Sequence, residues 1–203
     1  MDIENNKEYI DEDFEEVIFS NMYLEEINFI NCNFKKAKLD EVATYRCIFT
    51  ECNFTDAKLN ASRHKKSEFN NCSFKGCNLF SSSFINCRMI GSNFEASTMD
   101  GIEISKGDWS YTNLVNKTLK NMDLSEIKFK ETDLYGSDLQ NTILKNCDLT
   151  NAVIDHAKLK GTDFRGANIE GISFKNVNIK DIIIDITQSV LIVRSLGAKV
   201  KEL

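Results

Sequence analysis

A chain of 203 residues, 42% hydrophobic and 28% charged, is long enough to bury a sizeable core and polar enough to be soluble. Its net charge of −6 and sequence pI near 5.1 argue against a generic nucleic-acid binder, which is as a rule basic. Apolar runs such as Val190-Leu191-Ile192-Val193 fall far short of the ~18 residues of a membrane span, and the start Met1-Asp2-Ile3-Glu4 lacks the pattern of a signal peptide. The expectation is a cytoplasmic chain without membrane or direct nucleic-acid contact, its seven cysteines free thiols rather than a disulfide framework.

The chain opens on an acidic lead-in, residues 1–11, within a longer acidic stretch. Residues 1–26 hold ten acids against one base, Lys7, whereas the remainder holds 24 bases against 21 acids. Such an end keeps a long chain solvated, or offers a patch to a basic partner.

From residue 12 to 185 the sequence repeats every five residues. Large apolar side chains recur at Phe14, Phe19, Leu24, Phe29 and Phe34 and onward to Ile184, and thirteen of the 14 phenylalanines fall on this lattice, Phe80 alone lying off it. The position two before the large residue is mostly small or compact, and it contains all seven cysteines as well as Ala37, Ala57 and Ala152. Neither a helix nor a flat strand sustains that spacing; a coiled solenoid does. The position two after each large residue is Asn or Gly in about half the units, which places turns there, because those residues tolerate positive φ.

Sorting the large column at every fourth unit gathers like with like. Positions 14, 34, 54, 74, 94 and 174 are Phe, and 39, 59, 79, 119, 139 and 159 are Leu. The expected fold is therefore an all-β solenoid of about nine four-sided coils, spaced ~4.8 Å apart as strands are in a sheet, a rod of roughly 40 Å.

Three positions break the pattern, Thr44, His64 and Lys117, and Trp109 offers a local check. Thr44 and His64 are the only lattice residues that are not large and apolar, and they lie 20 residues apart, on one side of adjacent coils. With Tyr45, Arg46, Arg63 and Lys65 they form a locally basic, irregular candidate for a protruding or partner-binding region. Trp109 has Gly107 in the small position, as if volume removed there admits the indole. Lys117 in the small column is a misfit that predicts a bulge or an outward side chain. Further along, acids just before the large residue cluster late: Asp123, Asp133, Asp138, Asp148 and Asp163.

The pattern stops after Ile184. Asp185-Ile186-Thr187-Gln188 reads as a capping box opening a short helix that ends near Gly197, with a last short strand over Ala198 to Leu203, so that residues 186–203 form the C-terminal cap. Val190, Leu191, Val193 and Leu196 are more apolar than capping one coil end requires, which predicts burial against a second copy, a homodimer.

No catalytic machinery is legible. There is no phosphate-cradling glycine loop and no nucleophile elbow, His64 and His156 are isolated, and no Cys–His grouping has zinc spacing. The expectation is a non-enzyme without cofactor, metal or small-molecule substrate, its cysteines packed in the core.

Units such as Cys147-Asp148-Leu149-Thr150-Asn151 and Ala167-Asn168-Ile169-Glu170-Gly171 resemble the pentapeptide-repeat family, whose right-handed quadrilateral β-helix agrees with the four-sided reading. The stretch Gly161-Thr162-Asp163-Phe164-Arg165-Gly166-Ala167, followed by Asp185, Gln188 and Leu196-Gly197, is similar to the C-terminal end of the Qnr and MfpA group. That resemblance implies a dimer joined through its C-terminal helices, binding to DNA gyrase and topoisomerase IV as a DNA mimic, and protection of those enzymes from quinolones. It makes the five late acids candidates for a negative, DNA-like face. Other roles hosted by this kind of solenoid are immunity to a topoisomerase-poisoning peptide and an interaction scaffold with no topoisomerase partner.

Overall fold

The computed structural model describes residues 3–201 and divides the chain into two compact units, one ending at Asp108 and one beginning at Trp109. Each unit winds as a parallel β-solenoid with a register of 20 residues.

In the first unit nine short strands are described: β1 (Glu8–Ile10), β2 (Tyr23–Glu25), β3 (Asn28–Ile30), β4 (Ala43–Tyr45), β5 (Ile48–Thr50), β6 (Arg63–Lys65), β7 (Glu68–Asn70), β8 (Ser83–Arg88) and β9 (Glu103–Asp108). All pair in parallel at a register of 20 residues. One wall runs Glu8, Asn28, Ile48, Glu68, Arg88, Asp108, and the adjoining wall runs Tyr23, Ala43, Arg63, Ser83, Glu103. Single-residue bridges build the other two walls, Asp13–Asn33–Asn53–Ser73–Asn93 and Ile18–Lys38–Lys58–Asn78–Thr98. Four ladders make four sides, as the sorting of residue types requires. The strand-bearing solenoid has about five turns, not the nine expected, because β1 to β9 end with the first unit.

The second unit also keeps the 20-residue register, through Asn113–Asp133–Val153, Thr118–Asp138–Lys158, Asp123–Ile143–Asp163–Ile183 and Lys128–Asp148–Asn168. It has no strand of three residues among those described. The difference lies at the corners. Turn bonds close successive sides of this unit, Lys117 N to Leu114 O, Met122 N to Leu119 O, Ile127 N to Leu124 O and Thr132 N to Phe129 O. The strand-bearing walls of the first unit present Tyr23, Tyr45, Ile48 and Thr50 instead, β-branched and aromatic residues that favour extended backbone.

Every lattice position from Phe14 to Phe174 is buried, Thr44 and His64 included. Stacked rings follow the register: Phe34 lies 4.8 Å from Phe54 at 8°, and Phe54 lies 5.0 Å from Phe74 at 4°. The turn column is as expected, with left-handed φ at Glu16, Asn21 and Glu26 and, by steps of five, on to Gly171. No β-branched residue stands in it, which is where such a side chain would be most strained.

The small column has a second duty that spacing alone hides. Most thiols and hydroxyls there donate to the carbonyl of a lattice residue 23 positions earlier: Cys47 Sγ to Leu24 O at 3.3 Å, Cys147 Sγ to Leu124 O at 3.0 Å, Ser82 Oγ to Leu59 O at 2.6 Å, Thr142 Oγ1 to Leu119 O at 2.7 Å. Cys, Ser and Thr recur because a buried donor of that length meets a buried acceptor on the neighbouring coil.

Several expectations are corrected. The lead-in of residues 1–11 already carries β1, and Tyr9 stacks on Phe29 with centroids 5.3 Å apart. Lys117 neither bulges nor escapes. It is buried, its carbonyl accepts from Asp138 N at 2.9 Å in regular register, and burial pushes its ammonium pKa down. Gly107 is small for a different reason than indole volume: its φ is +106°, and a Cβ there would stand 2.1 Å from the carbonyl oxygen of Cys87. The register slips near the end, where His156 N bonds Asn176 O and Gly161 N bonds Asp181 O, 20 residues on instead of 19, and Ile179 turns outward. Residues 198–201 form no strand; Glu202 and Leu203 lie outside the described residues.

Candidate partner-binding surfaces

Thr44 and His64 pair in register across β4 and β6, but no loop protrudes there. Their side chains point inward and form a closed polar chain. Thr44 Oγ1 lies 2.9 Å from His64 Nδ1 and 2.9 Å from Ser67 Oγ; His64 Nε2 lies 2.9 Å from Ser62 Oγ; Ser62 Oγ donates to Ser82 Oγ at 3.3 Å, and Ser82 Oγ to Leu59 O. Because Ser62 spends its hydrogen on Ser82, it accepts from the ring, so the proton sits on Nε2 and Nδ1 accepts from Thr44. The ring stacks on Phe84 at 4.7 Å, and burial lowers its pKa to about 3. Thr44 and His64 are thus corrected from contact residues to wall residues.

Their neighbours do face outward. Arg46, Arg63, Lys65 and Lys66 are exposed on two adjacent coils, with the half-buried Tyr45 ring among them. The Arg46 guanidinium lies 5.0 Å and the Lys66 ammonium 5.8 Å from its centroid, within cation–π range. Arg46 also pairs with Glu26 at 3.0 Å. Of the candidates, Tyr45, Arg46, Arg63 and Lys65 therefore share one surface.

The five late acids do not. Asp123 and Asp163 share one ladder with Ile143 between them, while Asp133, Asp138 and Asp148 lie on the three other ladders. The expected single acidic face is not formed, since the five positions sit on all four sides of the coil. What they have in common is local. Each accepts from the backbone N–H two residues on: Asp123 from Ser125 at 3.1 Å, Asp133 from Tyr135 at 3.0 Å, Asp138 from Gln140 at 3.1 Å, Asp148 from Thr150 at 3.1 Å and Asp163 from Arg165 at 3.1 Å. Asn53 and Asn93 make the same turn in the first unit, so the column selects Asx-turn geometry rather than charge. Asp163 is also neutralised by Arg165 at 2.7 Å, whose hydrogen bond holds its carboxyl pKa down near 2.

The C-terminal cap is built on α1 (Ile186–Ser195). Asp185 Oδ1 accepts from Gln188 N at 3.1 Å, and Gln188 Oε1 accepts from Asp185 N at 3.1 Å, the expected capping box. Gln188 is itself buried and its amide donates to the carbonyls of Phe164 and Ala167, so one side chain caps the helix and plugs the last coil. Ile192, absent from the candidates, is the buried apolar anchor. Val190 and Leu191 are half-buried, whereas Val193 and Leu196 are 42% and 48% exposed, and Ile186 is 88% exposed. In the sequence Ile186 reads only as part of the capping turn.

All seven cysteines are buried with free thiols, and among the described residues no cluster of His, Cys, Asp and Glu could hold a metal ion. No helix among the described residues is long and apolar enough to cross a membrane.

A family model described as a pentapeptide repeat region matches residues 46–124 and 77–153, and one described as pentapeptide repeats (8 copies) matches residues 13–42 and 142–181. Among solved structures, two trypsin-treated variants of QnrB1, a plasmid-mediated fluoroquinolone resistance protein, align over 97% of this chain and 99% of theirs. Their TM-scores are 0.66 and 0.64, at 17% and 18% identity. Full-length QnrB1 aligns over 96% of this chain and 99% of its own, at a TM-score of 0.51 and 18% identity. At such identities the likeness is one of fold. No curated protein gives a significant sequence match.

Proposed function

The chain belongs to the pentapeptide-repeat family, and from that premise we propose that it is a cytoplasmic, non-catalytic binding protein that engages the bacterial type II topoisomerases, DNA gyrase and topoisomerase IV, and protects them from quinolones. The observation that carries this reading is the end-to-end match of fold with a fluoroquinolone resistance protein. A solenoid supports it physically, because it presents long ladders of side chains at fixed spacing, a surface suited to a large protein partner.

Self-association through α1 is part of the proposal. Ile186, Val193 and Leu196 leave apolar area in water at the end of the second unit, and a two-fold copy is the simplest cover for it. The DNA-mimic component does not draw on the late acids. It draws on the first coil, where Glu8, Asp11, Asp13, Glu15 and Glu16 are exposed, although Glu15 and Glu16 are partly matched by Lys35 and Lys36.

The test is direct binding of purified gyrase to the immobilised chain at 50 and 300 mM salt. Binding that weakens with salt supports the reading, since competition through charge is screened. Absence of binding to gyrase and topoisomerase IV at micromolar protein overturns it.

A further inference from the structure

Many charges in the first unit are matched along the coil axis, the stacked Lys38 and Lys58 being an exception. Residues 20 apart stack on adjacent coils, and five such pairs are opposite in sign: Glu15 with Lys35 at 3.8 Å, Glu16 with Lys36 at 3.2 Å, Glu26 with Arg46 at 3.0 Å, Glu68 with Arg88 at 3.8 Å and Lys75 with Glu95 at 3.1 Å. This is the arrangement that cross-strand pairing favours.

The wall built on β4 and β6 departs from it. Arg63 stands between Ala43 and Ser83, and Lys65 between Tyr45 and Ile85, with no acid at the stacked position on either neighbouring coil. Lys66 stacks over Arg46, a like charge, and both lie over the Tyr45 ring. Among the described residues no ion pair is made by Arg63, Lys65 or Lys66. Outward residues on one strand are ~7 Å apart and adjacent coils ~4.8 Å apart, so the cations occupy one compact patch. Glu25 and Glu26 bound it one coil from Tyr45 and Arg46, and Glu103 bounds it two coils beyond Arg63 on the other side.

We propose that this patch, Tyr45, Arg46, Arg63, Lys65 and Lys66, is a docking site for a short carboxylate-rich segment of a protein partner. Its charge is complementary to such a segment, and the tyrosine ring offers apolar area beside the cations. The flanking acids decide against nucleic acid: a duplex needs a positive track several phosphates long, and here it would run onto Glu25, Glu26 or Glu103. The proposal goes beyond the topoisomerase reading, because it holds for whichever protein carries the segment.

The experiment uses the full chain and a fluorescein-labelled deca-glutamate peptide, read by fluorescence polarisation in 50 mM salt. The wild type binds, and R63E/K65E/K66E weakens binding at least tenfold. R63A/K65A/K66A weakens it too, while K38E/K58E, at a like-charged pair on another wall, leaves it unchanged within twofold. No binding by the wild type, equal loss in K38E/K58E, or tighter binding of a 20-base-pair DNA duplex overturns the proposal. The assay contains no topoisomerase, so its outcome is separate from that of the gyrase binding test.

Discussion

Thr44 Oγ1 and His64 Nδ1 lie 2.9 Å apart inside the wall of the first unit, one coil from each other, where every other lattice position is large and apolar. The two irregularities are one feature: each satisfies the polar atom that the other buries. Thr44→Val leaves Nδ1 without its donor and is expected to cost about 1–3 kcal/mol, whereas Thr44→Val with His64→Phe removes both partners and costs less than the sum of the single changes. A urea double-mutant cycle checks this; strict additivity would contradict it. The same pair sets a pH dependence. His64 is held neutral down to about pH 3, below its ordinary value near 6.5, so the unfolded state takes up the proton first as pH falls. The stability is complete above pH 6.5 and is lost progressively toward pH 3. Between pH 7.5 and 5 the loss is about 2 kcal/mol, and His64→Phe abolishes that part of it.

The buried thiols are expected to be inert. Burial pushes Cys77, Cys87 and Cys147 up to about 12, and all seven side chains are shielded from solvent. A thiol reagent such as DTNB should label none of them in the native state near neutral pH and all seven in denaturant. Rapid native labelling of even one would contradict the wall assignment.

Gly107 sits where a side chain has no room. Gly107→Ala drives a Cβ to 2.1 Å from Cys87 O at a φ of +106°. The expected loss is about 1–3 kcal/mol, seen as a lower thermal midpoint, and a neutral substitution would show that the backbone relaxes there.

Self-association should depend on the exposed side of α1. V193E/L196E is expected to convert a dimer to a monomer in light scattering while preserving the fold, because neither side chain is buried in the chain itself. Ile192→Ala, by contrast, should destabilise the cap by about 2–4 kcal/mol, since that residue is buried. A wild-type chain that is monomeric at micromolar concentration would contradict the dimer proposal.

The period of five made the lattice, the turn column and the four sides legible, because each depends on residue size or on tolerance of positive φ, and both are carried by residue type. The capping box at Asp185 and Gln188 was legible for the same reason. The late acids were misleading: Asp reads as charge in a sequence, but Asp133, Asp138 and Asp148 are placed by the backbone N–H two residues on, and successive units face different directions. The closure of Thr44 on His64 depends on contacts 20 and 23 residues away, which spacing alone does not show. The unmatched cations at Arg63 and Lys65 depend on which residues stack 20 positions away, which composition does not show.

The central claim is tested most directly by gyrase supercoiling titrated with this protein in the presence and absence of ciprofloxacin. The account predicts that supercoiling blocked by the drug is restored as protein is added. Continued inhibition with no restoration, or no effect of the protein at micromolar concentration, would contradict it.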